Sequence, residues 1–183
     1  MDFKLIFVTI FFYLPAYVAN MMPVLLDRAG LLKSLAVPVD ALFGKKEIFG
    51  PHKTWRGIIG GIAGGILTGF LQAWLFTGFH DSSNTGMWIG GLVLFLIWGA
   101  LLGLGALLGD LAKSFFKRRL GIKPGGVFFP FDQLDFIIGA MLLGSLLRPL
   151  LWREILVLLI ITPLLHFYSN LIVYKLGWKK VWW

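Results

Sequence analysis

Long stretches without a charged side chain alternate with short charged segments along this chain. Four stretches contain no Asp, Glu, Lys or Arg, at residues 5–26, 57–79, 82–109 and 155–174. A helix that crosses a bilayer needs about 20 apolar residues, and each stretch reaches that length. The pattern predicts four membrane-spanning helices. The first is interpreted as a retained span, because its apolar run exceeds the roughly 7–15 residues of a signal peptide.

A fifth apolar stretch contains too few uncharged residues to cross a membrane. Only 12 residues separate Asp135 from Arg148, about 18 Å of helix against a hydrocarbon core of about 30 Å. Extending the helix back to Val127 restores the length and brings Asp132 and Asp135 to membrane depth. We therefore predict one all-α membrane domain, residues 1–183, with five transmembrane helices at about 5–26, 57–79, 87–108, 127–147 and 155–174.

Composition and charge agree with this class and indicate the orientation. The chain is 58% hydrophobic and 14% charged, too few charges for a water-soluble surface. Fourteen of the 17 Lys and Arg residues fall in segments 27–56, 110–135 and 175–183. Because positive residues favour the cytoplasm, we predict the N-terminus outside, the C-terminus in the cytoplasm and two large cytoplasmic loops at about 27–56 and 109–131. Topology accounts for the net charge of +8 without nucleic acid.

Glycines recur at helical spacing in the second and third predicted helices. They are Gly60, Gly61, Gly64, Gly65 and Gly69, then Gly99, Gly103, Gly105 and Gly109. Small residues three or four apart let helix backbones approach closely in lipid, so the pattern predicts tight helix packing.

Three aspartates are the candidates for chemistry. Asp110 follows a 28-residue uncharged run, and Asp132 and Asp135 share one face of the fourth predicted helix. Carboxylates at membrane depth are costly, so they are expected to face the bundle interior and to pair with a cation. The chain has no Cys, and carboxylate oxygens suit Mg²⁺. Pairing with neighbouring Lys and Arg, or a cation pathway in a transporter, remains open.

Basic residues in the same loops favour a phosphate partner. The second loop contains Lys113, Lys117, Arg118, Arg119 and Lys123, followed by Gly125 and Gly126. The first loop contains Lys53 and Arg56 at the start of the second helix, where backbone amides also attract anions. Arg and Lys bind phosphate oxygens, and glycines allow a close backbone approach. Contacts with anionic lipid remain the alternative for each basic run taken alone.

Two motifs resemble those of a known family. Ser114, Phe116, Lys117, Arg118 and Lys123 match a block S-x-φ-K-R-x4-K, where φ is apolar, and 132–135 (D-Q-L-D) is similar to D-R-φ-D. Upstream, 53–57 (K-T-W-R-G) is similar to K-T-x-E-G. The chain thus resembles the CDP-diacylglycerol synthases, membrane phosphatidate cytidylyltransferases. Its small size and the segment 15–23 (P-A-Y-V-A-N-M-M-P) resemble their archaeal branch, the CDP-archaeol synthases.

The resemblance implies an enzyme of the cell membrane with its active site on the cytoplasmic side. It would convert CTP and an unsaturated ether-lipid phosphatidate, 2,3-bis-O-geranylgeranyl-glycerol 1-phosphate, into the CDP-lipid and pyrophosphate, by Mg²⁺-assisted in-line attack of the lipid phosphate on the CTP α-phosphate. The implied metal ligands are Asp110, Asp132 and Asp135, and the implied catalytic residues are Asp132, Asp135 and Lys117. The implied substrate-binding residues are Lys53, Thr54, Arg56, Ser114, Arg118, Lys123, Gly125 and Gly126.

Three other functions remain open. Intramembrane aspartates also serve small cation-coupled or proton-coupled transporters. A CDP-alcohol phosphotransferase uses aspartates and Mg²⁺ as well, but with a different Asp spacing. A purely structural membrane subunit would give no reason for acids beside clustered bases.

Overall fold

Five α-helices make up most of the described chain. The computed structural model describes residues 2–43, 47–77, 85–123, 126–175 and 177. The helices are α1 (Phe3–Arg28), α2 (Trp55–Thr77), α3 (Thr85–Arg119), α4 (Phe131–Gly144) and α5 (Trp152–Lys175). Two short 3₁₀ segments, Lys33–Leu35 and Val39–Phe43, lie between α1 and α2. The described residues contain no β-strand, only an isolated bridge between Pro38 and Thr54, so the all-α prediction is confirmed.

Four of the helices are long and apolar enough to cross a membrane: α1, α2, α3 and α5. Large apolar side chains on their outer faces are exposed, for example Phe7, Leu67, Trp74 and Ile160. Soluble proteins rarely leave such extended apolar surface uncovered, whereas lipid tails solvate it. The chain is therefore a multi-pass membrane protein.

Helix α3 is longer than predicted. It continues past residue 108 to Arg119, so much of the loop predicted at 109–131 is helical. Neither Gly nor Pro occurs between Gly109 and Gly121, and Lys117, Arg118 and Arg119 in the last turn suit the negative end of the helix dipole. The chain turns at Gly121, whose φ of 69° lies in the left-handed region that favours glycine.

Helix α4 is shorter than predicted. It has 14 residues, about 21 Å of helix, where the apolar pattern predicted a span over 127–147. Pro130 occupies its N-cap position, and a proline cannot continue a helix from the preceding turn because its nitrogen carries no hydrogen. The helix ends at Gly144, five residues before Pro149. Its length alone does not cross a bilayer.

Glycines bring α3 against both of its neighbours. A Cβ at Gly65 would overlap the carbonyl oxygen of Gly99, and a Cβ at Gly99 would overlap that of Gly65. On another face of α3, a Cβ at Gly105 would overlap the carbonyl oxygen of Gly139 in α4, and a Cβ at Gly139 would overlap that of Gly105. The packing predicted from glycine spacing is confirmed at these positions, and α3 becomes the element that joins α2 to α4.

The interior combines apolar side chains with a few hydrogen bonds between helices. The largest fully buried apolar side chains include those of Tyr13, Leu102, Ile137 and Leu158. Tyr17 and Thr162 join α1 to α5 through their hydroxyl oxygens, 2.6 Å apart. The indole nitrogen of Trp98 donates to the carbonyl oxygen of Phe12 at 2.7 Å. These contacts fix α1 and α5 around the α3–α4 pair.

Candidate functional site

The last turns of α3 present one polar face. Asp110, Lys113, Ser114, Lys117 and Arg118 follow one another at steps of three, one, three and one residues, which places all five on one side of a helix. The hydroxyl of Ser114 donates to the carbonyl oxygen of Asp110 at 2.8 Å, one turn earlier. Because α3 continues past its apolar part, one rigid helix carries five of the chemically active side chains.

The first turns of α4 supply the other two aspartates. Asp132 and Asp135 are three residues apart and share a helix face. A Cβ at Gly109 would overlap the carbonyl oxygen of Asp135 and would lie 3.3 Å from the Cα of Gly139. Only glycine permits this approach, and it brings Asp110, the next residue along α3, beside the start of α4. The three predicted aspartates are therefore brought together.

Lys113 lies at the centre of the three carboxylates. Its ammonium nitrogen is 2.7 Å from Oδ2 of Asp135, 3.1 Å from Oδ1 of Asp110 and 3.5 Å from Oδ1 of Asp132. The lysine side chain is 15% exposed and that of Asp135 is 5% exposed. Three carboxylates this close would repel one another strongly, and the shared ammonium offsets that repulsion.

Two further lysines each contact one aspartate. Lys53, just before α2, forms an ion pair with Asp110, and the ammonium of Lys117 lies 3.0 and 3.3 Å from the two carboxylate oxygens of Asp132. The amide of Phe128 also donates to Asp132 at 2.6 Å. These contacts from Lys117 and Phe128 offset the cost of removing the Asp132 carboxylate from water.

A pocket of about 130 Å³ lies beside this cluster. Its polar side chains are those of His52, Lys53, Lys113, Ser114, Lys117 and Arg118, and residues 49–51 complete its wall. The Nε of Arg118 is buried and makes no hydrogen bond within the described part of the chain. A buried guanidinium nitrogen without an acceptor is costly, so the lining is suited to an anionic ligand with hydrogen-bond-accepting oxygens.

The wall formed by residues 49–51 is held in place by a buried aspartate. The carboxylate of Asp40 accepts hydrogen bonds from the backbone amides of Ile48 at 3.1 Å, Phe49 at 2.9 Å and Gly50 at 2.8 Å. Asp40 is 8% exposed. Gly50 has a φ of 100°, a conformation that strains other residues, so this turn depends on glycine as well as on Asp40. Asp40 thereby positions the segment that leads to His52 and Lys53.

Two of the predicted substrate-binding residues make structural contacts at the start of α2. The hydroxyl oxygen of Thr54 accepts from the amide of Gly57 at 3.3 Å, the geometry of a helix N-cap. Arg56 is buried and forms an ion pair with Asp27, near the end of α1. The structure thus directs both side chains to the junction of α1 and α2, and neither lines the pocket.

Two of the remaining predicted residues, Lys123 and Gly126, lie between α3 and α4. Lys123 is exposed. The carbonyl oxygen of Gly126 accepts a hydrogen bond from the ammonium of Lys117, so this backbone helps to place a lysine of the cluster. A Cβ on Gly126 would come within 2.8 Å of the Ile122 side chain. Gly125 lies outside the described residues.

Sequence reasoning missed the roles of Lys113 and Asp40. The sequence places Lys113 in the basic run. Its position one turn after Asp110 and one turn before Lys117 puts it on their helix face only if α3 continues beyond residue 108. Asp40 has no comparable signal, because its role depends on a loop that folds back eight to ten residues later.

The donor atoms of the cluster are of the kind that hard divalent cations bind. Among the described residues no three acidic or histidine side chains are placed to hold a metal ion, and the ammonium of Lys113 stands between the aspartates. The oxygens around that ammonium nevertheless come from three carboxylates, the ligands that Mg²⁺ prefers, and they already surround one positive charge. The residues present are thus compatible with a divalent ion.

Comparison with known proteins gives one consistent family. The sequence profile described as CarS-like, CDP-archaeol synthase, matches residues 2–183. A CDP-archaeol synthase of Pyrococcus abyssi is 39% identical over 97% of this chain and 98% of its own length. The CDP-archaeol synthase of Thermococcus gammatolerans is 40% identical over 97% and 96%, and that of Methanocaldococcus jannaschii is 35% identical over the whole of both chains.

A solved structure shares the fold. It is described as an intramembrane enzyme for archaeal membrane lipids biosynthesis and superposes with a TM-score of 0.68. The two sequences are 31% identical, and the match covers 88% of this chain and 92% of the other.

Proposed function

Because the chain belongs to the CarS-like CDP-archaeol synthase family, we propose that it transfers the cytidylyl group of CTP to the phosphate of an archaeal ether lipid. It is an enzyme, a nucleotidyltransferase of the membrane phosphatidate cytidylyltransferase type. The proposed lipid substrate is 2,3-bis-O-geranylgeranyl-glycerol 1-phosphate, and the products are the CDP-lipid and pyrophosphate.

The observation that supports this reaction is the meeting of three carboxylates and four cationic side chains beside one pocket. The cations are those of Lys53, Lys113, Lys117 and Arg118. A lipid phosphate must approach the α-phosphorus of a polyanionic nucleotide, so charge repulsion is the main obstacle. A pocket lined by fixed positive charges offsets that repulsion before the reaction begins.

The size of the pocket indicates which part of the nucleotide it takes. Sites for whole drug-sized ligands commonly measure about 300–1,000 Å³, and this pocket measures about 130 Å³. We assign it to the phosphates of CTP, with the cytidine outside it. Lys53, Lys117 and Arg118 then contact phosphate oxygens directly, with the hydroxyl of Ser114 beside them. Lys123 and Gly126 are proposed to contact the phosphates from the segment after α3.

The reaction is an in-line displacement. An oxygen of the lipid phosphate attacks the α-phosphorus, a new P–O bond forms, and the bond to the oxygen that bridges the α- and β-phosphates breaks as pyrophosphate leaves. A phosphate monoester is already largely ionised at about pH 7, so the attacking oxygen needs no general base. The lysines and Arg118 stabilise the negative charge that develops on the leaving pyrophosphate.

Asp110, Asp132 and Asp135 are proposed to hold Mg²⁺. When bound, the ion supplies positive charge to the phosphate oxygens and lowers the barrier to displacement. Asp132 and Asp135 lie at the start of α4 and Asp110 lies on α3, so the Gly109 contact between these helices sets the separation of the ligands.

Thr54 and Arg56 are given an indirect role in this proposal. Thr54 caps α2 and Arg56 ties that helix to Asp27, so together they fix the position from which Lys53 reaches Asp110. This positioning role takes the place of the direct phosphate contact predicted from the motif.

The pocket is proposed to face the cytoplasm, where CTP is available. The residues that line it fall within 49–53 and 113–118, in the segments 27–56 and 110–135 that carry most of the Lys and Arg. In this orientation α4 and its flanking residues, 127–130 and 145–147, enter the membrane from the cytoplasmic side. The lipid chains remain between helices while the phosphate reaches the pocket.

The proposed function is tested with purified protein, CTP labelled at the α-phosphorus, Mg²⁺ and the ether-linked phosphatidate in detergent micelles. The label is expected to enter the lipid fraction in proportion to pyrophosphate release, and removal of Mg²⁺ by EDTA is expected to abolish both. Ester-linked phosphatidate in a parallel assay tests the lipid class. Cation or proton flux in proteoliposomes without CDP-lipid formation would contradict the proposal and favour a transporter.

A further inference from the structure

The ammonium of Lys113 is the only positive group in the described part of the chain that contacts all three aspartates. Lys53 reaches Asp110 alone and Lys117 reaches Asp132 alone, whereas Lys113 lies 2.7–3.5 Å from one oxygen of each. A divalent ion bound by the same three carboxylates would have to lie among the same oxygens. Two cations cannot share that place, because they repel each other and compete for the same lone pairs.

The ammonium of Lys113 also has a second position within reach, in the pocket. Its side chain lines the pocket together with Ser114, Lys117 and Arg118, on the side where the phosphates are proposed to bind. A lysine carries its charge on a flexible four-carbon stem, so its ammonium can move several ångströms without moving the helix. The pocket would supply new acceptors to the displaced ammonium in the form of phosphate oxygens.

We propose that Lys113 is a positioning residue with two states: in the metal-free protein its ammonium occupies the place of the divalent cation, and on metal binding it moves into the pocket. In the first state it keeps three half-buried carboxylates together and neutralised. In the second it adds a positive charge to the phosphate pocket. This inference rests on the proposed function for the identity of the metal and of the phosphate ligand.

The two-state role predicts how substitutions change metal affinity in the absence of nucleotide. Lys113→Met removes the competing ammonium, so the affinity for Mn²⁺ is expected to rise by about tenfold or more. Lys53→Met and Lys117→Met each remove one charge from a single aspartate and serve as charge controls, with an expected rise of about threefold or less. Lys33→Met removes an exposed lysine outside the cluster and is expected to leave Mn²⁺ affinity unchanged.

Lys113→Arg distinguishes the effect of occupying the cation position from the effect of positive charge alone. The charge is retained, but the planar guanidinium binds carboxylates through two parallel hydrogen bonds and is held more firmly than an ammonium. We expect this variant to bind Mn²⁺ more weakly than the wild type. An effect of charge alone would leave its affinity unchanged.

The experiment measures free Mn²⁺ by electron paramagnetic resonance during titration of each purified protein in detergent, without nucleotide. Thermal unfolding in EDTA and in saturating Mn²⁺ gives a second readout: Lys113→Met is expected to unfold at a lower temperature than the wild type in EDTA and to recover more of that loss with Mn²⁺. The same readout applies if the variant must be purified with Mn²⁺ present.

Equal Mn²⁺ affinities for the wild type, Lys113→Met and Lys113→Arg would overturn the inference, as would equal increases for Lys53→Met, Lys113→Met and Lys117→Met. Wild-type turnover of CTP is measured on the same preparation. If the wild type forms CDP-lipid while the Mn²⁺ affinities do not differ, the role of Lys113 is wrong and the proposed function stands. If no CDP-lipid forms under any condition, the proposed function itself is wrong.

Discussion

Individual side chains in this site are held by charge pairs, most of which join different elements. Asp110 lies between Lys53 and Lys113, and Asp132 lies between Lys113 and Lys117. Each of these two carboxylates therefore has two ammonium partners, which offset the cost of its partial removal from water. The cost of breaking one such pair falls on the charge that is left behind, so single substitutions are expected to have large effects.

Asp132→Asn and Asp135→Asn are expected to lower turnover by about a hundredfold or more, equivalent to about 2.7 kcal/mol of transition-state stabilisation. The amide keeps the shape of each side chain but supplies no charge to a divalent ion. The measurement is CDP-lipid formation at saturating CTP and Mg²⁺. Asp2→Asn, at the N-cap of α1, is the matched control, because Asn also caps helices. Near-wild-type turnover in either site variant would contradict the metal assignment.

Asp40→Asn is expected to raise the KM for CTP by about tenfold while kcat changes little. Three backbone amides donate to the Asp40 carboxylate, and hydrogen bonds to a charged group contribute about 1.5–3 kcal/mol. An Asn side chain turns an amino group toward amides that are themselves donors, so the wall formed by residues 49–51 would loosen. Steady-state kinetics with varied CTP measures the effect. A loss confined to kcat would show that Asp40 does not act through nucleotide binding.

At the scale of the elements, the site depends on one long helix and one short one. Helix α3 carries its polar face beyond the apolar part without a break, and α4 begins at the level of that face. The contact between them is made of backbone atoms at Gly105, Gly109 and Gly139. In lipid there is no hydrophobic gain from helix association, so the two helices depend on this close packing to stay together. The packing therefore keeps the aspartates of α3 and α4 beside one another.

Gly109→Ala is expected to lower the thermal stability and the turnover together. The added methyl group would overlap the carbonyl oxygen of Asp135, which is backbone and cannot move aside alone. Overpacking of this kind costs about 1–3 kcal/mol, and the separation of α3 and α4 would move Asp110 away from Asp135. Gly90→Ala is the matched control on the same helix, since a Cβ there meets nothing within 4 Å. Thermal unfolding in detergent and CDP-lipid formation are the measurements. Equal behaviour of the two variants would show that the glycine contact does not set the site.

At the scale of the whole molecule, the proposed orientation places the pocket in the cytoplasm and the lipid-facing helices around it. Fourteen of 17 Lys and Arg residues lie in the segments assigned to that side. The bundle leaves large apolar side chains exposed on its outer faces, as lipid-facing surfaces require. Nucleotide and lipid would thus reach the same cluster from different phases.

The orientation is tested by cysteine accessibility, for which the chain is well suited because it contains no Cys. Ser34 lies between α1 and α2 and is exposed, and Ser83 lies in the sequence between the second and third predicted helices, 57–79 and 87–108. In intact cells a membrane-impermeant maleimide is expected to label Ser83→Cys and to spare Ser34→Cys, which reacts only after lysis. The reverse pattern would place the pocket on the outer side.

The amino-acid sequence by itself determined the membrane class, the helical elements and the set of candidate aspartates. Apolar run length is a local property that the bilayer thickness interprets directly, and acids at the ends of such runs are conspicuous because they are costly there. Helix ends were less predictable: α3 continues to Arg119 and α4 is limited to Phe131–Gly144, since capping and proline override the apolar pattern.

Only the tertiary structure decided which charges meet. Lys113 becomes the centre of three carboxylates because Gly109 lets α3 touch α4 at Asp135, and Arg56 faces Asp27 instead of the pocket because α2 packs beside the end of α1. Asp40 supports the pocket wall through a loop that closes on it from residues 48–50. Coulomb and hydrogen-bond energies change steeply over a few ångströms, and residues distant in sequence acquire those separations only when the helices pack.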